Sequence, residues 1–382
     1  MRKIFLLAFC IFLGINNMLY SQNVDSAEKK KPFIVFKADS IDDGRWLLTP
    51  FITPGYTPEL GIMLSGGGYL SFKTDRGDIN SKRSSIPLSF SYSSVGAKVF
   101  NSFPIIYLMG ERLIFEGEFW YKTMPDHYFG VGFNETIDKA KSDETSYHRK
   151  WWLINSRMFW ELKKNWFVGL NIDFNYTYGS GASPEVKQDE SFSKYNEMPF
   201  NSGLGFIARY DSRDLPKNSY SGFFLEYSST FYGDYLGGNN DYNINEIDVR
   251  NFFSVGKPGR VLAIQAMLRV GVGEVPYGEM SLLGTPFDLR GYLWGRLRDK
   301  SMAFTIVEYR YKLYFNKKAS RHSLVTWTGV GTMFSEETEV FYAAPNFGIG
   351  YRLEFQPRVS LRLDFGLGRS TKGFYISFQE AF

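Results

Sequence analysis

Gly373-Phe374-Tyr375-Ile376-Ser377-Phe378-Gln379-Glu380-Ala381-Phe382 reads as one alternating strand that closes on phenylalanine. Phe374, Ile376, Phe378 and Phe382 fall on one face, and Tyr375, Ser377, Gln379 and Ala381 on the other. No following segment covers the edge of such a strand. In water that edge is an aggregation hazard, whereas in a closed membrane barrel it pairs with the first strand. An aromatic C-terminal strand of this kind, here Gly373, Phe374, Ile376, Phe378 and Phe382, is also the usual form of the signal by which outer-membrane barrels are recognised for assembly.

The other end of the chain carries the marks of export. Arg2 and Lys3 precede an apolar run from Ile4 to Ile15, and a cleavage position follows Ser21. The run is too short to span a bilayer and has the flanks of a signal peptide. A lipoprotein signal using Cys10 fits poorly, because Phe9 stands where a small residue is needed. Residues 1–21 are read as a signal peptide, 22–52 as a short periplasmic tail and 53–382 as a transmembrane barrel. Cys10 leaves with the signal, so disulfides, thiolate chemistry and cysteine-bound zinc are not expected. Aromatic residues make up 18% of the chain, yet mean hydropathy is −0.24. A helical membrane protein needs roughly 20 consecutive apolar residues per span, and no second long apolar run exists. Aromatic wealth without apolar runs suits a transmembrane β-barrel, which is polar on half of every strand. Net charge is +4, of which Arg2 and Lys3 are part, so nucleic acid is not an expected partner.

Period-two alternation recurs upstream. Val359, Leu361, Leu363, Phe365 and Leu367 oppose Ser360, Arg362, Asp364 and Gly366. Phe347, Ile349, Tyr351, Leu353 and Phe355 oppose Arg352 and Glu354, and Val307, Tyr309, Tyr311 and Leu313 oppose Glu308, Arg310 and Lys312. Charge on one face and large apolar groups on the other predict lipid outside and a polar lumen inside. Short turns are predicted near Gln356-Pro357-Arg358, Asn316 to His322, Gly256 to Gly259, Asp211 to Ser219, Leu162 to Asn165 and Leu108 to Glu111. Longer polar stretches alternate with them: Ser335 to Pro345, Val275 to Lys300, Gly233 to Asp241, Gly179 to Met198 and Thr123 to Ser146. Outer-membrane barrels place short turns in the periplasm and long loops outside. Thirteen strands run from Phe100 onward, and two or three more fit before it, giving an even closure near sixteen. The fold class is all-β, a transmembrane antiparallel barrel.

These residues resemble the barrel domain of the BamA/TamA outer-membrane assembly-factor superfamily, also called the bacterial surface antigen family, over roughly Pro54 to Phe382. Leu289-Arg290-Gly291-Tyr292 is similar to the tip of the family's long extracellular loop, and Leu283-Gly284 precedes it. Tyr210-Asp211-Ser212-Arg213-Asp214, Val307-Glu308-Tyr309-Arg310, Phe129-Gly130-Val131-Gly132 and Arg362-Leu363-Asp364-Phe365 resemble further family segments. The resemblance implies that the loop folds into the lumen and that Arg290 meets acids of the inner wall, Glu308 first. A second family acid is replaced by Gly329 in Trp327-Thr328-Gly329-Val330-Gly331, which leaves Asp364 or Glu354 as substitutes. The family's periplasmic POTRA domains are not expected within residues 22–52, which are too few and too polar for a core.

The resemblance implies outer-membrane protein assembly or translocation, directly or as a subunit. Outer-membrane lipid and periplasmic or outer-membrane assembly proteins are then the partners. The family mechanism uses a weak seam between first and last strands. Gly66-Gly67-Gly68 either weakens that side or forms an extracellular hairpin. The alternative is a passive channel or structural barrel that has lost the activity. Mixed charges such as Arg352, Arg362, Glu354 and Asp364 argue against strong ion selectivity. The mature histidines, His127, His148 and His322, form no nucleophile constellation, so an enzyme is not expected. No cofactor, metal or small-molecule substrate is identified.

Overall fold

Alternation along the sequence becomes a closed antiparallel barrel of sixteen strands in the computed structural model, which describes residues 34–35, 46–75, 81–137, 139–316, 318–336, 342–356, 358–378 and 380–382. The strands are β1 (Trp46–Thr57), β2 (Gly61–Phe72), β3 (Ser84–Ser93), β4 (Lys98–Ser102, resuming as Ile105–Leu108), β5 (Leu113–His127), β6 (Ser146–Lys163), β7 (Trp166–Ser180) and β8 (Phe200–Asp211). They continue as β9 (Gly222–Tyr232), β10 (Tyr242–Ser254), β11 (Val261–Gly273), β12 (Ser301–Phe315), β13 (Lys318–Phe334), β14 (Ala344–Gln356), β15 (Val359–Gly368) and β16 (Thr371–Phe378). The break in β4 falls at Phe103-Pro104, where proline withholds a ladder donor. Among the described residues no helix is long and apolar enough to cross a membrane. Crossing by strands lets backbone groups pair with neighbouring strands wherever the ladder is continuous.

The two faces separate as the pattern requires. Leu170, Phe347 and Ile349 are exposed on the outside, whereas their neighbours Asn171, Asp173 and Asn346 are buried inside. Inside, charges are paired. Arg209 holds Glu116 through two bonds of 2.7 and 2.8 Å and Glu226 at 2.6 Å, and Arg269 meets Glu246 at 2.8 Å. Such forks satisfy the donors of a confined guanidinium. Short turns such as 164–165 link strands at one end, and Asn165 and, just after β12, Asn316 adopt the left-handed conformation that asparagine tolerates. Long loops gather at the other end. There Tyr128, Tyr147, Phe192, Tyr195 and Tyr277 form one aromatic cluster joining three loops.

Several expectations are corrected. β1 begins at Trp46, inside the stretch assigned to the tail, and β13 already includes His322. Gly66-Gly67-Gly68 lies in the middle of β2, paired with Pro50, Phe51 and Ile52, rather than in a hairpin. A Cβ on Gly67 would overlap the Leu88 carbonyl, so glycine permits the close approach of β3. Phe382 does not share the outer face with Phe374. Only 6% of it is exposed, and it packs inside the barrel against Phe252. The strand ends at Phe378, and Glu380, Ala381 and Phe382 are buried within.

Candidate functional site

The longest connection, residues 274–300, leaves β11 and returns to β12 through two three-residue strands, Ser281–Leu283 and Leu297–Asp299. Between them Asp288 ties a tight turn. Its carboxylate accepts the N–H groups of Gly284 and Thr285 at 2.9 and 2.8 Å and the Thr285 hydroxyl at 2.7 Å. That turn presents Leu289 to Tyr292 to the inner faces of β12 to β16.

Arg290 is fully buried. Its guanidinium donates to Asp364 of β15 at 2.7 Å and to Glu308 of β12 at 2.6 Å. The plane lies 3.6 Å from the Trp327 ring centroid on β13. Carboxylates on two sides and an aromatic face on the third fix a planar cation far better than a point charge. Burial opposes the charge, but Glu308 and Asp364 outweigh it and hold the arginine's pKa above its ordinary value. Trp327 itself donates through Nε1 to Asn346 at 2.9 Å, and Asn346 donates to the Arg290 carbonyl.

The neighbours of Arg290 are equally constrained. Gly291 has φ of +116°, and a Cβ there would stand 2.6 Å from the Gly366 carbonyl carbon. Only glycine suits both demands. Its N–H donates to the Tyr375 hydroxyl at 2.9 Å, and its carbonyl accepts from the Thr371 hydroxyl at 2.9 Å, both on β16. The Tyr292 hydroxyl donates to the Pro345 carbonyl at 2.8 Å and accepts the Arg369 N–H at 2.9 Å. The loop tip is thereby bonded to the last two strands of the barrel.

The charges close into a ring. Glu308 accepts from Arg310 at 2.8 Å, and Arg310 donates to the Phe382 carbonyl at 2.9 Å. Arg352 donates to Glu380 at 2.8 Å and to Asp364 at 2.5 Å, and Arg362 Nε lies 3.2 Å from Asp364. Loop, wall and C-terminal residues therefore share one buried ionic network. Glu354 takes no part: it pairs with Lys312 and accepts the Arg358 N–H at 2.7 Å. It sits too near the short-turn end to reach Arg290.

The barrel closes beside this network. Among the described residues, β16 meets β1 through a single registered pair, Ile376 with Tyr56. By contrast, β15 and β16 are registered from Leu361 with Phe378 to Gly368 with Thr371, and β1 and β2 from Leu47 with Ser71 to Thr57 with Gly61. Residues 65–382 match the Omp85 superfamily domain. The chain belongs to the Omp85 superfamily. Solved structures agree on the fold of this Omp85 barrel. BamA from Haemophilus ducreyi lacking POTRA domains 1–3 superposes with a TM-score of 0.60 at 12% identity, over 87% of this chain and 70% of that one. CdiB from Acinetobacter baumannii gives 0.55 at 10% identity, over 88% and 60%. CdiB from Escherichia coli gives 0.56 at 10%, over 87% and 62%. The chain thus spans less than two thirds of either CdiB. No curated protein sequence matches it. The protein is an outer-membrane β-barrel.

Among the residues named from sequence, the structure brings together Arg290, Glu308 and Asp364 and sets Glu354 and the outward-facing Phe374 apart from them. Sequence reading missed Trp327, Asn346 and Tyr375 as neighbours of the loop tip. Parity was the available signal for Tyr375, since it lies opposite Phe374 and Ile376 on β16.

Proposed function

We propose that this Omp85 barrel takes part in outer-membrane protein assembly or translocation, directly or as a subunit, by opening the seam between β1 and β16. The 274–300 loop, folded into the lumen, holds the seam side of the wall in its closed arrangement. The single registered pair between Tyr56 and Ile376 carries this reading. Unpaired strand edges bind other strands. The loop tip bears directly on that seam through Gly291 and Tyr375. Its release therefore frees β16 without disturbing the rest of the ladder.

A disulfide across the seam tests this. Tyr56→Cys with Ile376→Cys joins β1 to β16 in a chain whose one other cysteine is Cys10. In cells depending on this copy, oxidation should lower newly assembled outer-membrane proteins, and a reductant should restore them. Normal assembly with the seam locked refutes the proposal and favours the passive-channel alternative, which needs no seam motion.

A further inference from the structure

The short-turn rim of the barrel is unevenly charged. Residues 255–260, which join β10 to β11, and 316–322, which run from β12 into β13, contain Lys257, Arg260, Lys317, Lys318 and Arg321 and no acid. Among the described residues neither Lys257 nor Arg260 pairs with a carboxylate, and both lie on tyrosines of β12 instead. The Arg260 guanidinium is 4.0 Å from the Tyr311 ring centroid and donates to its hydroxyl at 2.9 Å, and Lys257 Nζ is 4.9 Å from the Tyr314 centroid. Arg260 Nε donates to the Lys312 carbonyl at 3.3 Å, and Nη1 has no partner among the described residues. The Tyr314 hydroxyl donates to the Pro258 carbonyl at 2.6 Å, which holds the turn against β12. At other short turns Lys82, Arg213 and Arg358 are paired, with Glu111, Asp211 and Asp214 at 3.0, 2.8 and 2.6 Å. Cations laid on interfacial tyrosines sit at headgroup level with donors to spare.

Farther along the same strands the lipid-facing side is hollow. Ala266 of β11 stands opposite Thr305 of β12, and Thr305 opposite Val330 of β13. Small side chains at Ala266, Ala303 and Thr305, set among Ile247, Val249 and Val330, leave an open, mainly apolar groove of about 500 Å³. Ligand pockets commonly measure about 300–1,000 Å³. Ala266 lies six residues beyond Arg260, about 20 Å of strand at about 3.3 Å per residue. A strand tilt of about 40° turns that into about 15 Å of depth, half of a hydrocarbon core of about 30 Å. An acyl chain whose phosphate rests on Arg260 therefore ends where the groove begins.

We propose that the outer face of β10 to β13 is a site for one anionic diacyl phospholipid of the leaflet at the short-turn end. Its phosphate bridges Lys257 and Arg260, and one acyl chain runs past Leu262 and Ile264 into the groove. Guanidinium and ammonium groups both suit a phosphate, and basic residues at a membrane surface favour anionic over zwitterionic headgroups. The occupant is a lipid rather than an acidic protein segment, because the cations and the groove share one strip of hydrocarbon-facing wall. On their inner side β12 and β13 carry Glu308 and Trp327, so the lipid braces the wall on which the loop tip docks.

Full-length chain in non-ionic detergent, titrated with phosphatidylglycerol or phosphatidylethanolamine and read by native mass spectrometry, tests the site. The first phosphatidylglycerol should bind at least about tenfold more tightly than phosphatidylethanolamine. Lys257→Gln with Arg260→Gln should cut that preference below about twofold. Ala266→Phe, which fills the groove from the lipid side, should weaken phosphatidylglycerol binding at least about threefold with the preference kept. All of these positions lie on a turn or on the lipid-facing side, and heat-modifiable mobility verifies that each variant is folded. A preference below about twofold in the parent overturns the proposal. So does an equal loss in Lys163→Gln with Lys164→Gln, which removes the same charge from the 162–165 turn, and so does unchanged binding in Ala266→Phe. Release of the lipid by millimolar inorganic phosphate overturns it too, by assigning the cations to a soluble anion.

Discussion

Replacing Arg290 by alanine removes the cation that joins the loop tip to the wall. Breaking a buried pair costs about 3–5 kcal/mol when a charge is left alone. Here neither acid is left alone: Glu308 keeps Arg310 at 2.8 Å, and Asp364 keeps Arg352 at 2.5 Å and Arg362 at 3.2 Å. The pair loss therefore belongs at the low end, about 3 kcal/mol. Losing the Trp327 face adds about 1 kcal/mol. Relief of repulsion among the clustered arginines offsets part of this, and a net of about 3 kcal/mol is roughly two powers of ten in the docked-to-undocked ratio. Leu289 is fully buried in the docked tip, so Leu289→Cys reports undocking by its rate of maleimide labelling. The rate should rise about 100-fold when Arg290→Ala is added to Leu289→Cys, since both chains share the cost of the cysteine. Arg290→Lys keeps the charge without the fork and should give an intermediate rise, about tenfold. A change below about threefold for Arg290→Ala refutes the claim that the ionic ring holds the loop.

Gly366→Ala should loosen the tip without touching a charge, because its Cβ would overlap the Arg290 carbonyl and stand 2.9 Å from the Gly291 nitrogen. Labelling of Leu289→Cys should then accelerate while the heat-modifiable mobility of the folded barrel stays as in the parent. At the short-turn end, burial pushes the Asp214 carboxyl up, but the Tyr220 N–H, the Arg358 guanidinium and the Ser221 N–H outweigh it and hold it below its ordinary value of 3.8. A depressed carboxyl stabilises the fold above its unfolded pKa and loses that contribution as pH falls through the folded value. The thermal advantage of the parent over Asp214→Asn should accordingly be full at neutral pH and fade below 3.8.

Strand positions were legible because lipid and lumen impose opposite demands on alternate residues, and few soluble contexts do the same. Arg362, Asp364 and Phe365 announce their faces from the sequence alone. The site was legible only in its charges. A pattern of acids does not announce Trp327, because an aromatic plane satisfies the same guanidinium by different physics. Phe382 was misplaced because period two was extended past the end of the ladder. Parity holds only within the ladder, and the strand ends at Phe378. The ring of Arg310, Arg352 and Glu380 joins residues distant in sequence, so no local pattern announces it. Gly66 to Gly68 looked like a turn because glycine serves turns and close strand approach alike.

Amide hydrogen exchange on the full chain in a lipid bilayer bears most directly on the seam. Seam-facing amides such as Ile52 on β1 and Phe374 on β16 should exchange orders of magnitude sooner than those of Ile306 and Val325, which lie in the continuous β12–β13 ladder. Equal protection around the whole barrel would contradict an opening between β1 and β16.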